Sequence, residues 1–224
     1  MSEPRFADRR DAGRALASAL GALAGTPDLL VLGLARGGVP VAFEVARRLG
    51  AELDVLIVRK LGVPQRPELA MGAIGAGGVL ELNPEVIVEA QVSQQALDAV
   101  VQRERLELQR RERAYRGERP PPRLRGRCVI LVDDGIATGA SMRAALDVLR
   151  RAQPARIVIA VPVAAAQALL EPGLAQSELV TLARPWNLGG VGRFYEDFGQ
   201  TSDDEVRDLL AGAACGGESR PSST

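Results

Sequence analysis

Val129 to Val132 is an apolar run that stops on two adjacent aspartates, Asp133 and Asp134, then turns at once through Gly135-Ile136-Ala137-Thr138-Gly139. A strand with no polar side chain on either face is buried on both, inside a sheet that helices cover from two sides. Runs of nearly the same kind lie at residues 29–34, 53–58, 156–161 and 178–182. Apolar residues at helical spacing mark residues 8–23 (Ala12, Ala15, Leu16, Ala19, Leu20, Leu23) as a helix. Further helices are read at 41–49, 93–116, 141–152, 164–170 and 203–210. Strands that alternate with helices specify an α/β fold on a parallel sheet.

The remaining stretches are of other kinds. Residues 59–82 are rich in Gly and Pro and read as a long loop, with a short hairpin near Ala73 to Leu82. The helix at 93–116 is polar, with Leu97, Val100, Val101 and Leu108 along one side, and reads as a surface helix laced by charge pairs. Pro120, Pro121 and Pro122 make a stiff connector. Residues 184–201 are irregular and hold most of the aromatic side chains. We expect one domain over residues 1–212, with its core at about 28–183, a helical insertion at about 84–122 and a small hood at 184–201. The tail at 213–224 is small and polar and is expected to be disordered.

Composition removes several classes of function. The chain has no histidine, so histidine triads and histidine metal sites are out, and chemistry must run on carboxylates, hydroxyls, amides, Lys, Arg or a metal. Lys and Arg number 28 and so do Asp and Glu, so no net positive field draws nucleic acid. No apolar run approaches the roughly 20 residues of a membrane helix. The charged N-terminus has no signal-peptide core after it, so a cytoplasmic location is expected. Cys128 lies in an apolar run and Cys215 in the tail, which suggests no disulfide.

Two acids at the carboxyl end of a buried strand, followed by a small-residue turn and a helix start near Thr138 and Ser141, have a chemical logic. The turn's amides and the helix dipole hold an anion. The carboxylates accept hydrogen bonds from sugar hydroxyls, so the segment suits a ribose 5′-phosphate. Paired aspartates have no packing purpose there. A second segment, Leu34-Ala35-Arg36-Gly37-Gly38-Val39-Pro40, also follows a strand. Its glycines admit close backbone approach to an anion, and Arg36 supplies charge-assisted hydrogen bonds. Gly33-x-Ala35-x-x-Gly38 fits a dinucleotide fingerprint weakly, but the second strand ends on Arg59 and Lys60 where that fingerprint needs an acid.

Asp133-Asp134-Gly135-Ile136-Ala137-Thr138-Gly139-Ala140-Ser141 resembles the signature of the type I phosphoribosyltransferases, which bind 5-phosphoribosyl 1-pyrophosphate (PRPP). Gly135 departs from it, since an aliphatic residue is usual there. The Arg36-Gly37-Gly38 loop is similar to the pyrophosphate loop of xanthine-guanine phosphoribosyltransferases. Pro185 to Phe198 resembles, more loosely, the hood of the purine enzymes. The resemblance covers about residues 28–200. It implies a phosphoribosyltransferase-type, Rossmann-like parallel-sheet core flanked by helices, and a setting in nucleotide metabolism such as purine salvage.

The resemblance also implies roles. Asp133 and Asp134 hold the ribose hydroxyls and are the candidate ligands of a magnesium cofactor. Ala137, Thr138, Gly139, Ala140 and Ser141 wrap the 5′-phosphate, and Gly135 and Ile136 belong to the same PRPP-binding segment. Arg36, Gly37, Gly38 and Lys60 meet pyrophosphate, with a non-proline cis peptide looked for at Arg36-Gly37. Arg59 and Lys60 together suit pyrophosphate, and serve equally as a strand end in solvent. Arg66 and Glu68 are candidates for closing over substrate. Trp186, Phe194 and Tyr195 are candidates to stack on a base, with Glu196 or Asp197 beside them; packing under the hood is the competing role for Phe194 and Phe198. Ala137 stands where oxopurine enzymes carry Asp and is closer to the adenine and uracil enzymes. The implied reaction is transfer of phosphoribose to a nucleobase-like nitrogen acceptor, in a homodimer. The alternatives are a non-catalytic PRPP or nucleotide sensor on the same fold, and a hydrolase or transferase that uses PRPP without a base.

Overall fold

A computed structural model describes residues 4–75 and 78–216. Its centre is a parallel five-stranded sheet in the order β2-β1-β6-β7-β8. The strands are β1 (Leu29–Leu34), β2 (Glu52–Leu56), β6 (Cys128–Val132), β7 (Arg156–Val163) and β8 (Glu178–Ala183). All six residues of β1 and all five of β6 are buried, as their uninterrupted apolar sequence requires. The pleat sends successive side chains to opposite faces. Leu29 and Val31 join one core, while Leu30, Leu32 and Leu34 join the other.

Helices α1 (Arg9–Ala19), α2 (Gly38–Leu49), α4 (Gln94–Arg116) and α6 (Asp203–Gly216) lie with the first core. Helix α5 (Ala140–Arg151) lies with the second, through Met142, Ala145, Leu146 and Leu149. The N-cap Asp8 accepts from Asp11 N at 2.7 Å and so makes Arg9 the first residue of α1. Helix α2 starts at Gly38 rather than Val41, so the loop after β1 is three residues tighter than the sequence suggested.

Residues 58–82 correct the reading as a loop. They form a three-stranded antiparallel sheet, β3 (Val58–Val63), β4 (Arg66–Gly75) and β5 (Leu80–Leu82). The hairpin expected near 73–82 is present, pairing Gly72 with Leu82 and Ile74 with Leu80. Gly75 packs so closely on α5 that an added Cβ would lie 2.5 Å from Val148 Cγ1. Leu61, Val63, Met71 and Ile74 are buried, which gives the small sheet its own apolar face. The short helix α3 (Pro84–Glu89) precedes α4.

The helix expected at 164–170 is only a 3-10 turn, Ala168–Leu170; ahead of it Ala164 and Ala165 extend the sheet edge, donating to Ala183 O and Ile136 O. Helix α6 runs on through residues 213–216, where a disordered tail was expected; the rest of that tail, 217–224, lies outside the described residues. Cys128 is buried, and its thiol is pushed up by burial. Among the described residues no helix is long and apolar enough to cross a membrane.

Candidate active site

Strands β1 and β6 are hydrogen-bonded neighbours, and the register pairs Gly33 with Val132. The loop after β1 and the acids after β6 therefore emerge side by side at the carboxyl edge of the sheet. This is where open α/β sheets receive ligands. The two loops touch. A Cβ on Gly38 would lie 2.5 Å from Val132 O and 2.9 Å from Asp133 Cα. A Cβ on Gly37 would overlap Asp134 Oδ2 and lie 2.8 Å from Asp134 Cγ. Both glycines are thus required by close approach, with no unusual backbone: Gly37 has φ −59 and ψ −30. The peptide bond between Ala35 and Arg36 is cis, one bond earlier than the one looked for at Arg36-Gly37.

Asp134 N donates to Asp133 Oδ1 at 2.9 Å. Burial first, then the Asp134 charge, hold the Asp133 carboxyl well above the usual range. Burial also raises Asp134, against the pull of Arg9. Arg9 is a site residue that the sequence reading missed. Its Nε donates to Asp134 Oδ2 at 2.8 Å and its Nη1 donates to Gly199 O at 2.6 Å. Its guanidinium carbon lies 4.0 Å from the centre of the Phe198 ring. A carboxylate, a carbonyl and an aromatic face therefore fix one side chain.

The turn after the acids is anchored at Ile136 through both its backbone groups. Ile136 N donates to Val163 O at 2.9 Å, and Ala165 N donates to Ile136 O at 2.8 Å. Gly139 has φ +76, in the left-handed region, and leads into α5. Ala137, Thr138, Ala140 and Ser141 are exposed at the start of that helix. Arg143 Nη1 donates to Thr138 O at 3.1 Å. The departure at Gly135 has a spatial explanation: a Cβ there would lie 2.6 Å from Val191 Cγ1. The hood's valine fills the space that an aliphatic side chain at residue 135 would take.

The hood is held by the segment ahead of α1. Phe6 N donates to Phe194 O at 2.8 Å, Glu196 N to Phe6 O at 2.8 Å, and Asp197 N to Ala7 O at 2.9 Å. Tyr195 is buried, and its hydroxyl donates to Asp134 O at 2.6 Å. Its ring stacks on Phe198 at 4.9 Å and lies tilted 5.7 Å from Phe6. Tyr195 therefore supports the acid loop from within the hood, and Phe194 is buried beside it. Trp186 is 68% exposed and is the hood aromatic with an open face. Glu196 and Asp197 are exposed; Asp197 Oδ1 accepts from Gly199 N at 2.9 Å.

The cations divide. Arg36 Nη1 is 3.6 Å from Asp203 Oδ1, and that oxygen also accepts from the Tyr115 hydroxyl at 2.7 Å. Arg59 is bound to the buried Glu104 of α4 through Nε at 2.9 Å and Nη2 at 2.7 Å. Lys60 lies on β3 with Nζ 3.6 Å from Glu68, and both are exposed. Arg66 is exposed at the start of β4. The structure thus unites Arg36, Gly37, Gly38, Asp133, Asp134 and Arg9, while Lys60, Arg66 and Glu68 stand on the small sheet.

Among the described residues no cluster of three or more acids, histidines or cysteines could cage a metal. The Asp133 and Asp134 carboxylates fit a hard cation that takes one or two carboxylates and completes its shell with phosphate and water oxygens.

Comparison with known proteins agrees with this geometry. Residues 7–192 match the model of the phosphoribosyl transferase domain. A provisionally named phosphoribosyl transferase of Mycobacterium tuberculosis is 50% identical over 201 residues, which are 90% of this chain and 45% of that protein. The chain thus spans about half the length of the curated relatives it matches. The crystal structure of TT1426 from Thermus thermophilus superposes with a TM-score of 0.81 at 49% identity, covering 92% of this chain and 97% of that one. With an acid pair on one loop and Arg-Gly-Gly on the loop packed against it, the chain belongs to the phosphoribosyl transferase domain family.

Proposed function

We propose that the chain binds PRPP with magnesium and transfers its phosphoribosyl group to a nitrogen acceptor, a nucleobase or a close relative of one, releasing pyrophosphate. The observation that carries this reading is the interlock of Gly37 and Gly38 with Asp134 and Asp133. It joins an anion loop to a pair of sugar-binding acids within a single contact distance, as one ligand bearing ribose and diphosphate requires.

In this reading Asp133 and Asp134 accept hydrogen bonds from the ribose hydroxyls. The turn from Ala137 to Ser141 takes the 5′-phosphate at the start of α5, where unpaired amides and the helix dipole favour an anion. The Gly37 and Gly38 backbone and Arg36 take the diphosphate. The C1–O bond to pyrophosphate breaks and the C1–N bond forms; the bonding pair departs with pyrophosphate, and the acceptor nitrogen gives its proton to a carboxylate. Glu196 or Asp197 is the proposed base, and Trp186 offers the stacking face. Asp133 and Asp134 would hold magnesium, which would supply charge neutralisation for the leaving group. The protein's own contribution is position and charge placed in advance. Arg9 and Tyr195 keep Asp134 where the ribose needs it.

Calorimetric titration of PRPP, with and without magnesium, tests the reading. Binding that requires magnesium and is lost in D133N/D134N supports it, and absence of binding by the wild type refutes it. A panel of bases then separates an enzyme from a sensor, since only a transferase releases pyrophosphate in a base-dependent way.

A further inference from the structure

Arg36 lies near a carboxylate on a helix that the anion loop does not belong to. Its Nη1 lies 3.6 Å from Asp203 Oδ1, while the Tyr115 hydroxyl donates to the same oxygen at 2.7 Å. Tyr115 sits in the last turn of α4 and is 3% exposed. Asp203 opens α6, beyond residue 192, where the match to the family ends. A carboxylate that pairs fully with an arginine does so at about 2.7–2.9 Å, often through two parallel bonds. Here Tyr115 shares the near oxygen at the shorter distance, and the guanidinium stays loose.

We propose that Asp203 is an internal competitor of the diphosphate anion for Arg36, and that Tyr115 sets how firmly Asp203 competes. The proposal rests on reading the Arg36 loop as a diphosphate site. A loose pair whose side chains are 30% and 41% exposed is weak, so an anion with several charges draws Arg36 away from it. Asp203 keeps its negative charge close by, which opposes retention of the anion. When pyrophosphate leaves, Arg36 returns to the carboxylate. The long helix α4 thereby gains a task at the site that its sequence does not disclose: it delivers the hydroxyl that limits Asp203's hold.

Binding of inorganic pyrophosphate with magnesium, measured by calorimetry at fixed ionic strength, tests this, with a thermal melt of each variant as the check on folding. D203N keeps the shape and the Tyr115 contact but removes the charge, and should bind roughly 2- to 5-fold tighter. Y115F frees the carboxylate to close on Arg36 and should bind more weakly than wild type. Y115F/D203N should match D203N, because Tyr115 acts through Asp203; a Tyr115 that served stability alone would weaken the double variant too and overturn its assigned role. R36Q should make D203N silent. Unchanged or weaker binding by D203N, with wild type still binding, would overturn the competition and leave the anion loop standing. Failure of the wild type to bind pyrophosphate would overturn the loop reading and this proposal together.

Discussion

Gly37→Ala isolates the contact on which the active-site reading depends. Gly37 has helical backbone angles, so alanine meets no backbone objection. The obstacle is steric: the new Cβ overlaps Asp134 Oδ2 and lies 2.8 Å from its Cγ, where ordinary contact is 3.4–4 Å. Asp134 cannot simply rotate away, because Arg9 holds the same oxygen at 2.8 Å. Either the loop or the carboxylate must move by up to about 1 Å, an overpacking cost of about 1–3 kcal/mol. If the carboxylate moves, a charge-assisted hydrogen bond to ribose is lost. That is worth about 1.5–3 kcal/mol, or a rise in Kd of roughly 10- to 150-fold. Urea unfolding measures the first quantity and PRPP calorimetry the second. Gly21→Ala is the control: nothing lies within 4 Å of its Cβ, so stability and binding should hold. A G37A protein that binds PRPP as the wild type does would refute the claim that the two loops form one site.

Arg9→Gln should cost about 3 kcal/mol in urea unfolding, because it leaves Asp134 without its partner in a site where the two side chains are 12% and 16% exposed. Gly135→Ala and Val191→Ala should be coupled by about 1 kcal/mol or more in a double-mutant cycle, the second relieving the first; additive costs would dismiss the idea that Val191 fills the space at residue 135. The two tyrosines give a pH signature. Burial and Asp203 keep Tyr115 protonated to about 12, against 10 for the free phenol, and burial and Asp134 push Tyr195 up as well. The unfolded chain releases these protons first, so stability should fall as pH rises from 10 towards 12. An absorbance titration that showed a phenolate step near pH 10 in folded protein would contradict the burial.

The central sheet could be read in the sequence because burial on both faces leaves only apolar side chains, as in β1 and β6. The acid pair and the glycine loop were legible for a related reason: charge and glycine at the end of a buried strand have no packing explanation. The small sheet was not legible. Pro64 and Pro67 interrupt its residues, and its ladder slips between Leu61 and Val63, so the alternation that marks a strand never becomes regular. Arg9 was invisible for another reason: its partner Asp134 is 125 residues away, and one arginine at the start of an amphipathic helix has no local signature. Arg59 has a partner that its local sequence does not disclose. It stands beside Lys60 in a pattern that suits pyrophosphate, yet both its Nε and Nη2 are turned to Glu104 on the long helix. Tyr195 is similar: an aromatic in the hood suggested stacking, but its hydroxyl turns inward to Asp134 O.

The pairing of Phe6 and Ala7 with Phe194 to Asp197 is parallel. If residue 4 and residue 200 were drawn apart in an optical trap, these two segments would slide along each other rather than peel open. All three hydrogen bonds between them, with the Arg9 contacts to Asp134 and Gly199, would share the load at once. The hood is thus fastened as a lap joint, and it resists traction along the chain far better than its few bonds would if they broke one by one.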